Sequence, residues 1–170
     1  QQQQQYLLPL LQQGQIAVMG GFVGSAPGRV TTTLGRGGSD YTASLIGAAI
    51  GATAIEIWTD VDGMLTADPR VVPGAQLIER ISFDEAAELA AFGAKVLHPR
   101  CLLPVRQYGI PLSVYATQAP ALGGTRISDS PAGEGGQVKA ICTRNGVTLV
   151  SMESPGMWHQ VGFLADAFQV

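Results

Sequence analysis

Apolar and polar positions fall in blocks along the chain, and glycines and prolines separate the blocks. Residues 6–11 are apolar with Pro9 inside, as at the end of a helix. Gly14 follows, then a short apolar run at 16–19 of the buried-strand type, closed by Gly20 and Gly21. Residues 22–38 form a loop rich in Gly, Thr and Ser. Ser39 or Asp40 then caps a helix that reaches Ile50 and stops at Gly51. Its apolar residues (Leu45, Ile46, Ala48, Ala49, Ile50) go nearly all the way round, which predicts a buried helix. Residues 54–58 predict a strand, and 59–73 a second polar loop. Ser82-Phe83-Asp84-Glu85 has the form of a capping box and starts a helix predicted to run to about Leu97. His98-Pro99 ends it, Pro99 suits the first turn of another helix ending at Gly109, and 111–115 predict a strand.

Strands alternating with helices in this way predict an α/β fold, a mostly parallel sheet covered by helices on both faces. Composition shifts at 128–137, where Asp129, Ser130, Pro131, Gly133, Gly135 and Gly136 make a linker. Two β-type runs follow, 138–143 and 147–152, then an amphipathic piece at 161–168. The stretch 138–170 is too short for a core of its own. It reads as the opening of a second, α+β segment. The expected division is 1–128, a linker at 129–137, and 138–170.

Composition narrows the function. Gly is frequent, 22 of 170 residues, and clusters beside polar residues, which suits loops that approach a ligand closely. The net charge is −3, with 10 Lys+Arg against 13 Asp+Glu, so no basic surface exists for nucleic acid. The longest uncharged stretch, between Asp40 and Glu56, is too short to span a membrane. No signal peptide is legible, and Cys101 and Cys142 lack metal-type spacing. This reads as a cytoplasmic chain with reduced thiols. The five glutamines at 1–5 carry no functional reading.

Three motifs carry candidate chemistry. Thr31-Thr32-Thr33-Leu34-Gly35-Arg36-Gly37-Gly38-Ser39-Asp40 puts free N–H groups and an Arg at a helix start, which favours an anion. A plain glycine turn feeding a capped helix fits as well. Thr59-Asp60-Val61-Asp62-Gly63 follows a strand, where α/β sheets bind ligands; an Asx turn is the plainer account. In Phe92-Gly93-Ala94-Lys95-Val96-Leu97-His98-Pro99, Lys95 suits a phosphate or a helix terminus. His98 is read as a structural hydrogen-bond partner, and His159 has no partner motif.

In this order, the three motifs together with Gly21-Phe22-Val23-Gly24-Ser25 resemble aspartokinases of the amino acid kinase family. The resemblance runs over about 16–127. The stretch 138–170 is similar to the start of the regulatory ACT domain that follows the kinase domain there. The fold implied is the C-terminal, nucleotide-binding part of an amino-acid-kinase sandwich plus a partial ACT segment. The activity implied is phosphoryl transfer from ATP, with Mg²⁺, to the side-chain carboxylate of L-aspartate. Residue by residue, Arg36, Gly37, Gly38 and Ser39 match the aspartate-binding loop. Asp40 matches the acid that organises the catalytic cations. Thr59, Asp60, Arg70, Lys95 and Val96 match nucleotide contacts, and Lys95 is also a candidate catalytic group. No protein-only metal site is implied. Homo-oligomers through ACT domains are implied for a full-length parent.

Two departures from that pattern matter. The Lys-Phe-Gly-Gly-Thr-Ser strand–loop of the family is absent from these residues, so the 170-residue chain alone is expected to be inactive. A tyrosine near the nucleotide in some relatives aligns with Leu65. The rival readings are another kinase of the same fold, acting on glutamate, uridylate or carbamate, and a non-catalytic amino-acid-binding regulatory subunit.

Overall fold

The computed structural model describes residues 2–93, 96–129, 138–151 and 161–169. Helix α1 (Gln2–Gln12) precedes a hairpin of β1 (Val23–Ala26) and β2 (Val30–Thr33). Helix α2 (Gly38–Ile50) leads into β3 (Ile55–Thr59). After the polar loop come β4 (Arg80–Ser82) and α3 (Phe83–Phe92), then a 3-10 turn (Pro99–Cys101) and α4 (Leu102–Gln107). β5 (Leu112–Ala116), β6 (Thr125–Ser128) and, farther on, α5 (Phe163–Phe168) complete the order.

Four strands form the main sheet, in the order β3-β5-β6-β4. β3 pairs parallel with β5 and β4 parallel with β6, while β5 and β6 are antiparallel. The sheet is therefore mixed and mostly parallel, with flanking helices. Ile55 faces Leu112, Ile57 faces Val114, and Ile127 is flanked by Leu112 and Ile81. These side chains, with Met64, Phe83, Leu97, Leu102 and Val105, form the core. β5 is buried along both faces, as a central strand must be. β3 lies at the edge and hides only Ile55 and Ile57, leaving Glu56 and Trp58 exposed.

Several boundaries differ from the sequence expectation. The apolar run at 16–19 is not a strand: Ile16 and Val18 are 90% and 93% exposed, because no neighbouring strand pairs with them. The glycine-rich loop contains the β1–β2 hairpin. α2 is capped not by Ser39 or Asp40 but by Gly37, in the left-handed conformation, and only Gly38, Ser44 and Gly47 on it are buried. α3 ends at Phe92 rather than Leu97, where Gly93 (φ 141) donates its N–H to the Leu89 carbonyl. Its capping box forms as read, with Glu85 N–H on Ser82 Oγ and Ser82 N–H on the Glu85 carboxylate. The expected linker lies outside the described residues except for Ser128 and Asp129. The run at 138–143 has no ladder partner and is not a strand; residues 147–151 are irregular as well, and Met152 lies outside the described residues. The amphipathic piece contains α5.

The segment after the linker is nevertheless docked. Lys139 Nζ sits 2.8 Å from Glu85 Oε1, Ile141 N–H donates to the Thr66 carbonyl, and Ala140 packs on the core. Burial works to raise the Glu85 pKa, but the hydrogen bonds from Lys139 and Ser82 outweigh it and hold the carboxyl below its ordinary range. A lowered carboxyl pKa stabilises the fold above the unfolded pKa, and that stabilisation is lost as pH falls through the folded value. Glu85→Gln keeps the capping acceptor but loses the charge pair, so it should melt below the wild type at pH 7 by the roughly 0.2–1 kcal/mol of a half-exposed pair. The gap in Tm should close as both proteins are melted toward about pH 3. A gap that is the same at both pH values would show that the charge contributes nothing.

Candidate functional site

Two of the three motifs meet at the N-terminus of α2, where His98 and Arg100 contact the glycine-rich loop. A Cβ added to Gly47, near the end of α2, would press on Ile55, at the start of β3. The end of α2 therefore packs on the start of β3.

The loop into α2 is held by backbone geometry. Gly35 and Gly37 are in the left-handed region, with φ of 78 and 69, which favours glycine. Gly37 is needed for a second reason, since any Cβ there would occupy the space of the His98 Cβ and Cγ. Gly38 is buried beneath Phe22 and Leu34. The Phe22 N–H donates to Thr42 Oγ1, whose hydroxyl in turn donates to the Gly38 carbonyl. No side chain caps the helix, so its first turn keeps its affinity for an anion. Arg36 and Ser39 are exposed beside it.

Asp40 is half-buried in that first turn. Burial raises its pKa, and the charge of His98 works the other way. Burial, with Asp40 nearby, pushes the Cys101 thiol up to about 12. Cys101 is thus a buried neutral thiol and not a nucleophile. His98 Nδ1 accepts the Arg100 N–H at 3.3 Å, the structural bond expected of it. Sequence reasoning passed over Arg100, whose guanidinium donates to the Leu34 carbonyl and lies 4.9 Å from the centroid of the Tyr41 ring. No local signal marks it, because both partners lie some 60 residues away.

At the carboxyl end of β3, Thr59 Oγ1 donates to Asp60 Oδ1, and the Thr59 carbonyl accepts the Thr117 N–H. Trp58 stacks on Tyr115 across the β3–β5 pair, with ring centroids 5.0 Å apart. Asp60 is exposed. Arg70 makes a two-bond fork to Asp68, so the Asp-Pro-Arg turn is locally braced. Val96 is half-buried against the core. Lys95 lies outside the described residues, as does His159. Among the described residues, no three His, Cys, Asp or Glu side chains gather as a metal site. No helix among them is long and apolar enough to cross a membrane.

The chain has relatives among known proteins. The chain is 46% identical over 164 residues to the lysine-sensitive aspartokinase 3 of Escherichia coli, covering 96% of this chain and 36% of that protein. It is 47% identical over 137 residues to the chloroplastic aspartokinase 2 of Arabidopsis thaliana, covering 81% and 25%. The crystal structure of E. coli aspartokinase III in complex with aspartate and ADP superposes with a TM-score of 0.71 at 50% identity, over 75% of this chain and 28% of that one. The chain thus spans about a quarter to a third of the length of these curated relatives. The model of the amino acid kinase family matches residues 1–115, well over half of the chain, and the chain belongs to that family.

Proposed function

We propose that this chain is the nucleotide-binding part, and some of the aspartate-binding part, of an aspartate kinase. The parent activity would move the γ-phosphoryl of ATP to the side-chain carboxylate of L-aspartate, giving 4-phospho-L-aspartate. The observation that carries the reading is the uncapped α2 N-terminus, entered by a glycine-rich loop, with Arg36 and Ser39 exposed beside it. An anion-friendly helix start with an arginine beside it suits a reaction that needs positioning and charge neutralisation more than a covalent group. The similarity to a protein solved with aspartate and ADP supports the same ligands here.

In this reading Arg36 grips the substrate carboxylate through paired hydrogen bonds, with Gly37, Gly38 and Ser39 shaping the backbone around it. Thr59, Asp60, Arg70 and Val96 contact the nucleotide. Lys95 neutralises transferring phosphate. Mg²⁺ would supply charge neutralisation on the phosphates. The residue that fits such an ion is Asp40, which offers one half-buried carboxylate at the start of α2. The stretch 138–170 is proposed as the opening of an ACT domain, through which the parent would oligomerise. The compartment proposed is the cytoplasm, consistent with two free thiols.

The test is a split in substrate requirement, measured by coupled ADP release in a protein that carries this chain within a complete kinase. Arg36→Ala should raise the KM for aspartate by roughly one to two factors of ten, the loss of a charge-assisted bond. Asp60→Ala should raise mainly the KM for ATP. Exchanged effects would overturn the residue assignment, and absence of aspartate-dependent turnover would overturn the function.

A further inference from the structure

We propose that the His98-Pro99-Arg100 turn is a positioning clamp for the Arg36–Asp40 loop, and that it sets aspartate affinity without touching the substrate. The inference rests on the aspartate kinase reading for its substrate, but the clamp itself stands on contacts. The turn reaches the loop at three points. Before the loop, Arg100 Nη1 donates to the Leu34 carbonyl at 3.3 Å. Within it, His98 fills the volume that any side chain on Gly37 would need. After it, the Arg100 guanidinium lies over the Tyr41 ring on the first turns of α2. The loop is thereby gripped before, within and after the residues assigned to the substrate.

The turn can hold the loop because it is itself fixed. Leu97 before it and Cys101 and Leu102 after it are buried in the core. His98 Nδ1 accepts the Arg100 N–H, which ties the two clamping residues to each other. Pro99 presets the backbone between them. A guanidinium that is planar can donate to a carbonyl and lie on an aromatic ring at once, which an ammonium does less well. The arrangement also gives a physical reason for the Phe92–Pro99 motif and the glycine-rich motif to occur together. The first carries His98, the residue that the second must leave room for.

Two independent measurements test the clamp. The first is amide hydrogen exchange on the 170-residue chain, read at Gly38 and Tyr41, whose N–H groups donate to the Gly35 and Gly37 carbonyls. Arg100→Ala and His98→Ala should each speed exchange at these two amides by about tenfold, as the loop opens locally. The amide of Val114 in β5 should keep its wild-type rate. His98→Asn, whose side-chain oxygen can still accept the Arg100 N–H, should restore part of the protection. The second is steady-state kinetics in the complete kinase. Arg100→Ala should raise the KM for aspartate by about tenfold, the loss of one charged hydrogen bond and a cation–π contact. The kcat and the KM for ATP should stay within about twofold, and Arg100→Lys should recover less than half of the loss. Unchanged exchange at Gly38 and Tyr41 overturns the clamp. Equal acceleration at Val114 also overturns it, since the turn would then merely support the whole fold. If exchange responds as expected but the wild type shows no aspartate-dependent turnover, the substrate reading fails and the clamp stands. If turnover is present and only the KM for ATP moves, the assignment of the clamp to aspartate is wrong.

Discussion

Asp40→Asn, made in a complete kinase carrying this chain, is expected to abolish most turnover and yet leave the protein as stable as before or more so. Removing a preorganised electrostatic group from a phosphoryl-transfer site should lower kcat by at least about a hundredfold. The stability outcome follows from burial. Asp40 has its pKa raised by desolvation, against the opposing charge of His98. A raised carboxyl pKa means that the charged form is less favourable in the fold than in the unfolded chain. The penalty is absent below the unfolded pKa and grows as pH rises through the folded one. The helix dipole favours an acid in the first turn, but here burial outweighs it. Asn carries no charge and escapes the penalty. The variant's Tm should equal or exceed the wild type's at pH 7, with any advantage vanishing below about pH 4. A variant that loses turnover and several degrees of Tm together would make Asp40 a structural residue rather than a functional one.

Gly63→Ala is expected to cost the fold a large part of its stability. Gly63 has φ 138, a conformation that side chains rarely adopt, and a Cβ there would lie 2.6 Å from Thr125 Oγ1 and 2.8 Å from Leu77 Cδ1. Thr125 cannot yield easily. It is fully buried at the start of β6, and its hydroxyl oxygen accepts the Met64 N–H at 2.8 Å. Backbone strain of about 1–3 kcal/mol adds to overpacking of about 1–3 kcal/mol. Set against a typical net stability of about 5–15 kcal/mol, that is a lowered unfolding midpoint or failure to fold. Gly74→Ala is the control, since nothing lies within 4 Å of its added methyl and its φ is ordinary. If the two variants unfold at the same urea concentration, the packing argument for the Asp62-Gly63 turn is wrong.

The candidate site could be named from the sequence because its chemistry lies in short runs. The residues assigned to the substrate are consecutive, and the Thr59-Asp60 pair lies at the end of a strand that Ile55 and Ile57 mark. What could not be read was which runs meet. The contact of His98 with Gly37 and the hold of Arg100 on Leu34 and Tyr41 join positions some 60 residues apart, and neither leaves a local pattern.

Amino-acid order alone determined the features whose partners are close in the chain. The Ser82–Glu85 capping box and the Gly51 helix end formed as read, because a helix satisfies its hydrogen bonds within three or four residues. Strand existence was readable where apolar runs are long, as in β3 and β5. Tertiary structure decided the rest. β4 and β6 have three and four residues, too few to show a period, and each exists through its partner: Ile81 against Ile127, and Val114 against Thr125. The runs at 16–19 and 138–143 have the apolar character of strands and find no ladder. A strand's N–H and C=O groups must be satisfied by residues from elsewhere in the chain, so composition can only suggest a strand, and the fold settles whether a neighbour is there to pair with it.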